Sequence, residues 1–149
     1  MFWDASALIP LCVHQSWTPF VLELKDPTKI IWWGSTVECT SAVARLIRER
    51  VLTADEGTRV VRDLNQIISG AIEVQPTEQV RGRAMRLLHV HALRAADAFQ
   101  LAAALIAYRE QPADQRLVCF DPRLRAAAQR EGFSIEPASL PVLSRPSSR

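Results

Sequence analysis

Glycine is scarce and scattered. The five glycines among 149 residues, Gly34, Gly57, Gly70, Gly82 and Gly132, never stand within two residues of one another. That removes the glycine-rich loops whose backbone must approach a phosphate closely, the dinucleotide fingerprint and the P-loop alike. No GxSxG segment is present, so the nucleophile elbow of an α/β-hydrolase is absent too. The three cysteines, Cys12, Cys39 and Cys119, are odd in number, far apart and form no CxxC pair. They exclude a disulfide framework and a cysteine zinc site, and they fit a reducing, cytoplasmic setting. Lysine is nearly missing: Lys25 and Lys29 stand against sixteen arginines. A phospho-receiver domain needs a lysine after a late strand, and none follows Lys29. The longest stretch without Asp, Glu, Lys or Arg, Ala5–Leu22, is broken by Pro10, His14, Gln15 and Pro19, so no segment predicts a membrane span.

What is present describes an ordinary globular chain. With 48% hydrophobic and 23% charged residues, 149 residues suffice for one domain with its own core. The formal charge is only +2, but arginine supplies nearly all of the positive side. Guanidinium donates two hydrogen bonds in a fixed fork and suits phosphate. A genome biased toward arginine codons accounts for the same composition equally well.

Hydrophobic patterning predicts alternating strands and helices. Met1–Trp3 is a short strand, followed by a helix over about Ser6–His14 that Pro10 should kink. A helix around Trp17–Lys25 ends at Asp26-Pro27, and Lys29–Trp33 is an interior strand of β-branched and aromatic residues. Helices follow at about Thr36–Arg50 and Asp55–Ile68, the second with Thr53 and Glu56 in capping-box spacing. Ile72–Val74 is a strand, Glu78–His89 and Ala96–Tyr108 are helices, Leu117–Phe120 is a buried strand, Pro122–Glu131 a helix and Phe133–Ile135 a last strand. This alternation predicts a single α/β domain on a mostly parallel sheet. The domain should span residues 1–137, with a partly disordered tail over 138–149 that includes Ser144 onward.

Four carboxylates carry the chemical signal. Asp4 follows the first strand and heads an apolar stripe of Ala7, Leu8, Leu11 and Cys12, where an ionised acid needs a cation unless it merely caps the helix. Glu38 lies in Ser35-Thr36-Val37-Glu38, which equally spells a capping box. Asp97 precedes Gln100, Leu101, Ala104, Leu105 and Tyr108 at helical spacing and so shares the core-facing stripe. Asp121 before Pro122 is also a common helix start. Asp4, Glu38 and Asp121 each follow a strand and all four acids open a helix, so neighbouring strands would bring them to one sheet edge, where α/β proteins bind ligands. Hard oxygen donors without Cys or His select Mg²⁺ or Mn²⁺ and point to metal-assisted phosphodiester chemistry. The HxH pair His89 and His91 has no third ligand nearby and fits packing better than zinc.

Several segments together resemble the PIN-domain ribonucleases, and among them the VapC-type toxins of bacterial type II toxin–antitoxin pairs. They are Asp4-Ala5-Ser6-Ala7-Leu8; Glu38 with Ser41, Ala42 and Arg45; Leu93-Arg94-Ala95-Ala96-Asp97-Ala98-Phe99-Gln100-Leu101-Ala102; and Phe120-Asp121-Pro122-Arg123-Leu124 with Ala127 and Glu131-Gly132-Phe133. The resemblance runs from residue 1 to about 137. It implies a PIN-like, five-stranded parallel sheet flanked by helices and an acidic pocket for Mg²⁺ or Mn²⁺. It further implies endonucleolytic cleavage of RNA, homodimerisation and neutralisation by a cognate antitoxin protein. Asp4, Glu38, Asp97 and Asp121 become the implied catalytic set, with Asp4, Asp97 and Asp121 as metal ligands. One departure stands out: Cys119 occupies a place where the family often has Thr or Ser, which puts the hydrogen bonding of the fourth acid in question.

The leading expectation is therefore a metal-dependent endoribonuclease, with Arg45, Arg94 and Arg123 near enough in sequence to meet phosphates. The alternative from another class is a catalytically silent, PIN-like protein-binding module, for which Trp3, Trp17, Trp32 and Trp33 are the candidate anchors. A DNA nuclease or a phosphatase using the same pocket is the third reading.

Overall fold

The computed structural model describes residues 1–140. Five strands, β1 (Phe2–Trp3), β2 (Ile30–Trp32), β3 (Ile72–Val74), β4 (Arg116–Val118) and β5 (Ser134–Glu136), form one sheet in the order β3-β2-β1-β4-β5. Every pairing is parallel, with Phe2 opposite Ile30 on one side and Leu117 on the other. The helices are α1 (Ala5–Leu8), α2 (Thr18–Glu23), α3 (Ser35–Arg48), α4 (Ala54–Ser69), α5 (Glu78–Val90), α6 (Ala95–Ala107) and α7 (Pro122–Glu131). The expected α/β class and parallel five-stranded sheet are thus observed. Residues 141–149, most of the expected tail, lie outside the described residues.

Strand alternation divides the core into two layers. Phe2, Leu117 and Ile135 face α5, α6 and α7, whereas Trp3, Ile31 and Val118 face α1 to α4. Alanine lets α6 lie close to the sheet: Ala98, Ala102, Ala103 and Ala104 are all fully buried. Covering both faces is what a parallel sheet requires, and it explains why β1 and β2 read as continuous apolar runs.

Local chemistry accounts for the element ends. α1 runs one turn and passes into a 3-10 turn at Ile9–Leu11, where Pro10 sits, so the expected kink shortens the helix well before His14. Thr53 and Glu56 form the expected capping box of α4. Gly132 closes α7 at φ +107°, a left-handed conformation that favours glycine. Ser35 corrects an expectation: it does not cap α3. Gly34 is the N-cap, Ser35 is the first helical residue, and Glu38 therefore falls one place too far along for a capping box. The cause is tertiary, because the buried Ser35 hydroxyl is occupied by Gln100 instead.

The tryptophans part company. Trp3 and Trp32 are core residues, and Trp3 satisfies its indole N–H on Asp26 at 2.7 Å. Trp17 is half-buried and Trp33 is 48% exposed. Trp3 and Trp32 are thereby removed from any set of surface anchors. Among the described residues, no single helix is long and apolar enough to cross a membrane.

Candidate functional site

The strand order reverses between β1 and β4. From β1 the chain proceeds to β2 and β3 on one side, then returns to place β4 on the other. The helices that leave these two strands pack on opposite faces, α1 in one layer and α7 in the other. Such a switch point leaves a crevice beyond the carboxyl ends of the strands, where α/β proteins bind ligands. Asp4 follows β1 and Asp121 closely follows β4, so topology alone puts one acid on each lip.

Each acid is held by one of its two oxygens. Asp4 is 4% exposed and caps α1: its Oδ2 accepts hydrogen bonds from the Ser6 backbone N–H at 3.1 Å, the Ser6 hydroxyl, and the Cys119 thiol at 3.4 Å. Asp121 caps α7, its Oδ1 accepting from Arg123 N at 2.8 Å and Leu124 N at 3.0 Å. Asp97 lies in the first turn of α6, where Oδ2 accepts from Arg94 N at 3.3 Å. It is half-buried at the helix mouth rather than in the core-facing stripe. Glu38 Oε1 accepts from Gln100 Nε2 at 3.0 Å. Among the described residues the second oxygens, Asp4 Oδ1, Glu38 Oε2, Asp97 Oδ1 and Asp121 Oδ2, have no hydrogen bond to protein. Capping and chemistry are therefore not rival readings of these residues; a carboxylate has an oxygen for each.

Electrostatics tie the four together. Burial raises the pKa of Asp4, and repulsion from Asp97 adds to it. Burial and the charges of Asp4 and Asp97 push Glu38 up to about 7, against the Gln100 hydrogen bond, which lowers it. Asp97 is raised by desolvation and by Asp121, with Arg94 and Arg123 partly offsetting. None of the four acids takes part in the ion pairs found among the described residues. Buried negative charge left without a partner is costly, and a cation is the ordinary remedy.

The donor set fits a hard divalent ion, since the available atoms are carboxylate oxygens. Cys119 does not alter that preference: burial and the neighbouring Asp4 hold its pKa well above that of an ordinary thiol, so it remains a neutral donor. Among the described residues no three His, Cys, Asp or Glu side chains are arranged to hold an ion by themselves. Magnesium commonly binds in such places, taking one or two carboxylates and filling the rest of its shell with water and substrate phosphate. His89 and His91 contribute nothing here. His89 is exposed, and His91 bonds Glu131 at 2.7 Å through Nε2.

Three residues complete the site. Ser6 joins its two lips: its hydroxyl meets Asp4 and accepts from Phe120 N at 2.9 Å. It supplies the hydroxyl that Cys119 lacks, and Asp121 needs none from residue 119 because its own helix N–H groups hold it. Gln100 is 1% exposed and donates Nε2 to both Ser35 and Glu38 at 3.0 Å. Among the described residues its Oε1 is buried without a partner, which costs about 1–3 kcal/mol. The sequence carried a signal for Gln100, a lone amide three residues after Asp97 in a helix of Ala and Leu, but periodicity files it with the core stripe. Arg45 lines the same cavity as Ser6, Glu38 and Asp121.

No family model matches the chain. It is similar to two curated proteins of Mycobacterium tuberculosis, ribonuclease VapC45 (strain CDC 1551 / Oshkosh) and ribonuclease VapC49 (strain H37Rv). Each is 30% identical over 144 residues, covering 94% of this chain and 96% of the relative. Among solved structures, a toxin–antitoxin complex from Klebsiella pneumoniae superposes with a TM-score of 0.60 over 84% of this chain and 89% of that one. At 16% identity that match concerns the fold.

Proposed function

The chain belongs to the VapC ribonuclease family, and we propose that its acidic crevice is the centre of a metal-dependent endoribonuclease, the toxin of a toxin–antitoxin pair. The observation that carries the reading is the set of Asp4, Glu38, Asp97 and Asp121 at the switch point, unpaired by Lys or Arg among the described residues, each with one oxygen turned to protein and one left over. Asp4, Asp97 and Asp121 would hold Mg²⁺ or Mn²⁺. A divalent cation bound there supplies Lewis acidity toward a phosphodiester and neutralises charge on its oxygens.

The side chains have separate tasks. Glu38, raised to about 7 by burial and by the charges of Asp4 and Asp97, is matched to accept a proton at Oε2 from water attacking phosphorus. The attacking oxygen forms the new P–O bond as the bond to the 3′-oxygen breaks; the leaving oxygen takes a proton from solvent, giving a 5′-phosphate and a 3′-hydroxyl. Ser6 and Gln100 orient Asp4 and Glu38, and neither touches the reacting atoms. We extend the reading to a homodimer countered by a cognate antitoxin protein, for which exposed apolar groups such as Trp33 and Val37 offer contact area.

Cleavage of labelled RNA by purified protein in Mg²⁺, Mn²⁺ or EDTA, with Asp4→Asn alongside, tests this. Metal-dependent fragments lost in the variant support the assignment. Cleavage unaffected by EDTA or by Asp4→Asn overturns it. Folded wild type that cuts no RNA, yet captures a protein partner as well as Asp4→Asn does, favours the binding module.

A further inference from the structure

The crevice continues past the acids at its edge. A cavity of about 400 Å³ opens beside Glu38 and Asp121, lined also by Gln15, Trp17, Arg45 and Phe120. Resting on the ribonuclease reading, we propose that Arg45 and Trp17 form the subsite for one nucleotide of a single-stranded RNA, Arg45 holding a backbone phosphate and Trp17 stacking on its base.

Arg45 sits seven residues after Glu38 on α3, with Ala42 between them on the same face; all three line the cavity. Among the described residues its guanidinium makes no ion pair and no hydrogen bond. This separates it from Arg94 and Arg123, whose charges act on Asp97. The charges acting on Glu38 are those of Asp4 and Asp97, not that of Arg45. An unengaged guanidinium beside a cleft of carboxylates has a phosphate as its natural partner.

Trp17 supplies the other half. Its half-buried ring lies parallel to Phe120, centroids 4.6 Å apart at 15°, and Phe20 braces Phe120 edge-on at 6.2 Å. Phe120 immediately precedes Asp121, so the aromatic stack is anchored at the acidic lip. A fixed aromatic platform next to a cation is the arrangement that binds unpaired bases, whereas a base within a duplex has no face to offer.

The test measures binding apart from turnover. The protein carrying Asp4→Asn is titrated with a labelled single-stranded oligoribonucleotide of mixed sequence in Mg²⁺, then again with Trp17→Leu, Arg45→Gln or Arg48→Gln added. Leucine keeps apolar contact with Phe120, and Arg48 is exposed and outside the cavity. Trp17→Leu is expected to weaken binding roughly five- to one-hundred-fold, the range of one lost stack. Arg45→Gln should weaken it and reduce the log–log salt slope by about 0.7. Arg48→Gln should bind as its parent does. If wild type cleaves RNA while Trp17→Leu and Arg45→Gln bind as the parent, this inference fails and the nuclease stands. Unchanged affinity with a lowered melting temperature assigns Trp17 to packing on Phe120 and also overturns it. If wild type cleaves nothing and the Asp4→Asn protein binds no RNA, both readings fall together.

Discussion

Gln100 Nε2 lies 3.0 Å from Glu38 Oε1, and this one hydrogen bond joins the most buried stretch of α6 to the acidic crevice. The amide also reaches Ser35, and its own oxygen goes unpaired. A half-satisfied amide is a poor choice for packing alone. Replacing Gln100 with Leu removes the unpaired oxygen but also the donor to the buried Ser35 hydroxyl, so it should change the melting temperature little while lowering RNA cleavage roughly 10- to 100-fold through a misplaced Glu38. The same substitution made on top of Glu38→Gln should cost little more, because coupled residues are not additive. Additive losses would make Gln100 a packing residue.

Asp4→Asn separates stability from function. The amide keeps an oxygen for Ser6 but removes a buried, repelled charge. Cleavage should fall by at least about 100-fold while the metal-free protein melts higher at pH 7.5 than wild type does. Thermal melts in EDTA beside single-turnover cleavage in Mg²⁺ check both halves.

The metal-free protein should lose stability as pH rises. Asp4, Glu38 and Asp97 all have folded pKa values raised above their ordinary ones, Glu38 to about 7. Between the unfolded and folded values the native state binds more protons than the unfolded chain, so stability is full below about pH 4 for these groups and declines up to about pH 7. Melting temperatures taken from pH 5 to pH 8 in EDTA should fall on this account, less steeply in Glu38→Gln. A divalent ion should recover most of the loss at the upper end, and a flat profile in EDTA would contradict the raised values.

Gly132→Ala tests the α7 terminus. At φ +107° an alanine Cβ is strained and would meet Pro112 Cγ at 3.3 Å. The expected cost is about 1–2 kcal/mol, read as a melting temperature lowered by roughly 2–8 °C with cleavage per folded molecule unchanged.

Much of this molecule is local enough to be read along the chain. Ile72–Val74 and Pro122–Glu131 form with the bounds their patterns predict, because two β-branched residues alternating with Glu73 between Gly70 and Pro76, and Asp-Pro before a helix closed by glycine, are decided by neighbours in sequence. The residues of the four acids were legible for the same reason: each opens a helix. Their roles were not. Ser35-Thr36-Val37-Glu38 spells a capping box that does not form, because Gln100, 65 positions from Ser35, takes the serine hydroxyl and the glutamate together.

The amino-acid order by itself determined the alternation of strands and helices, the hard-oxygen character of the acids and the absence of phosphate loops. Those follow from short-range sterics and from which side chains exist at all. Only the tertiary structure decided that β4 lies beside β1, bringing Asp121 and Cys119 to Asp4 across more than a hundred residues. It likewise decided that Ser6 bridges the two lips, that Trp17 lies on Phe120, and that Gln100 steadies Glu38. The physical reason is common to all of them. Sheet order and side-chain hydrogen bonds between distant segments are settled by which buried groups find partners when two layers of helices close on the sheet, and no short window of sequence contains both partners.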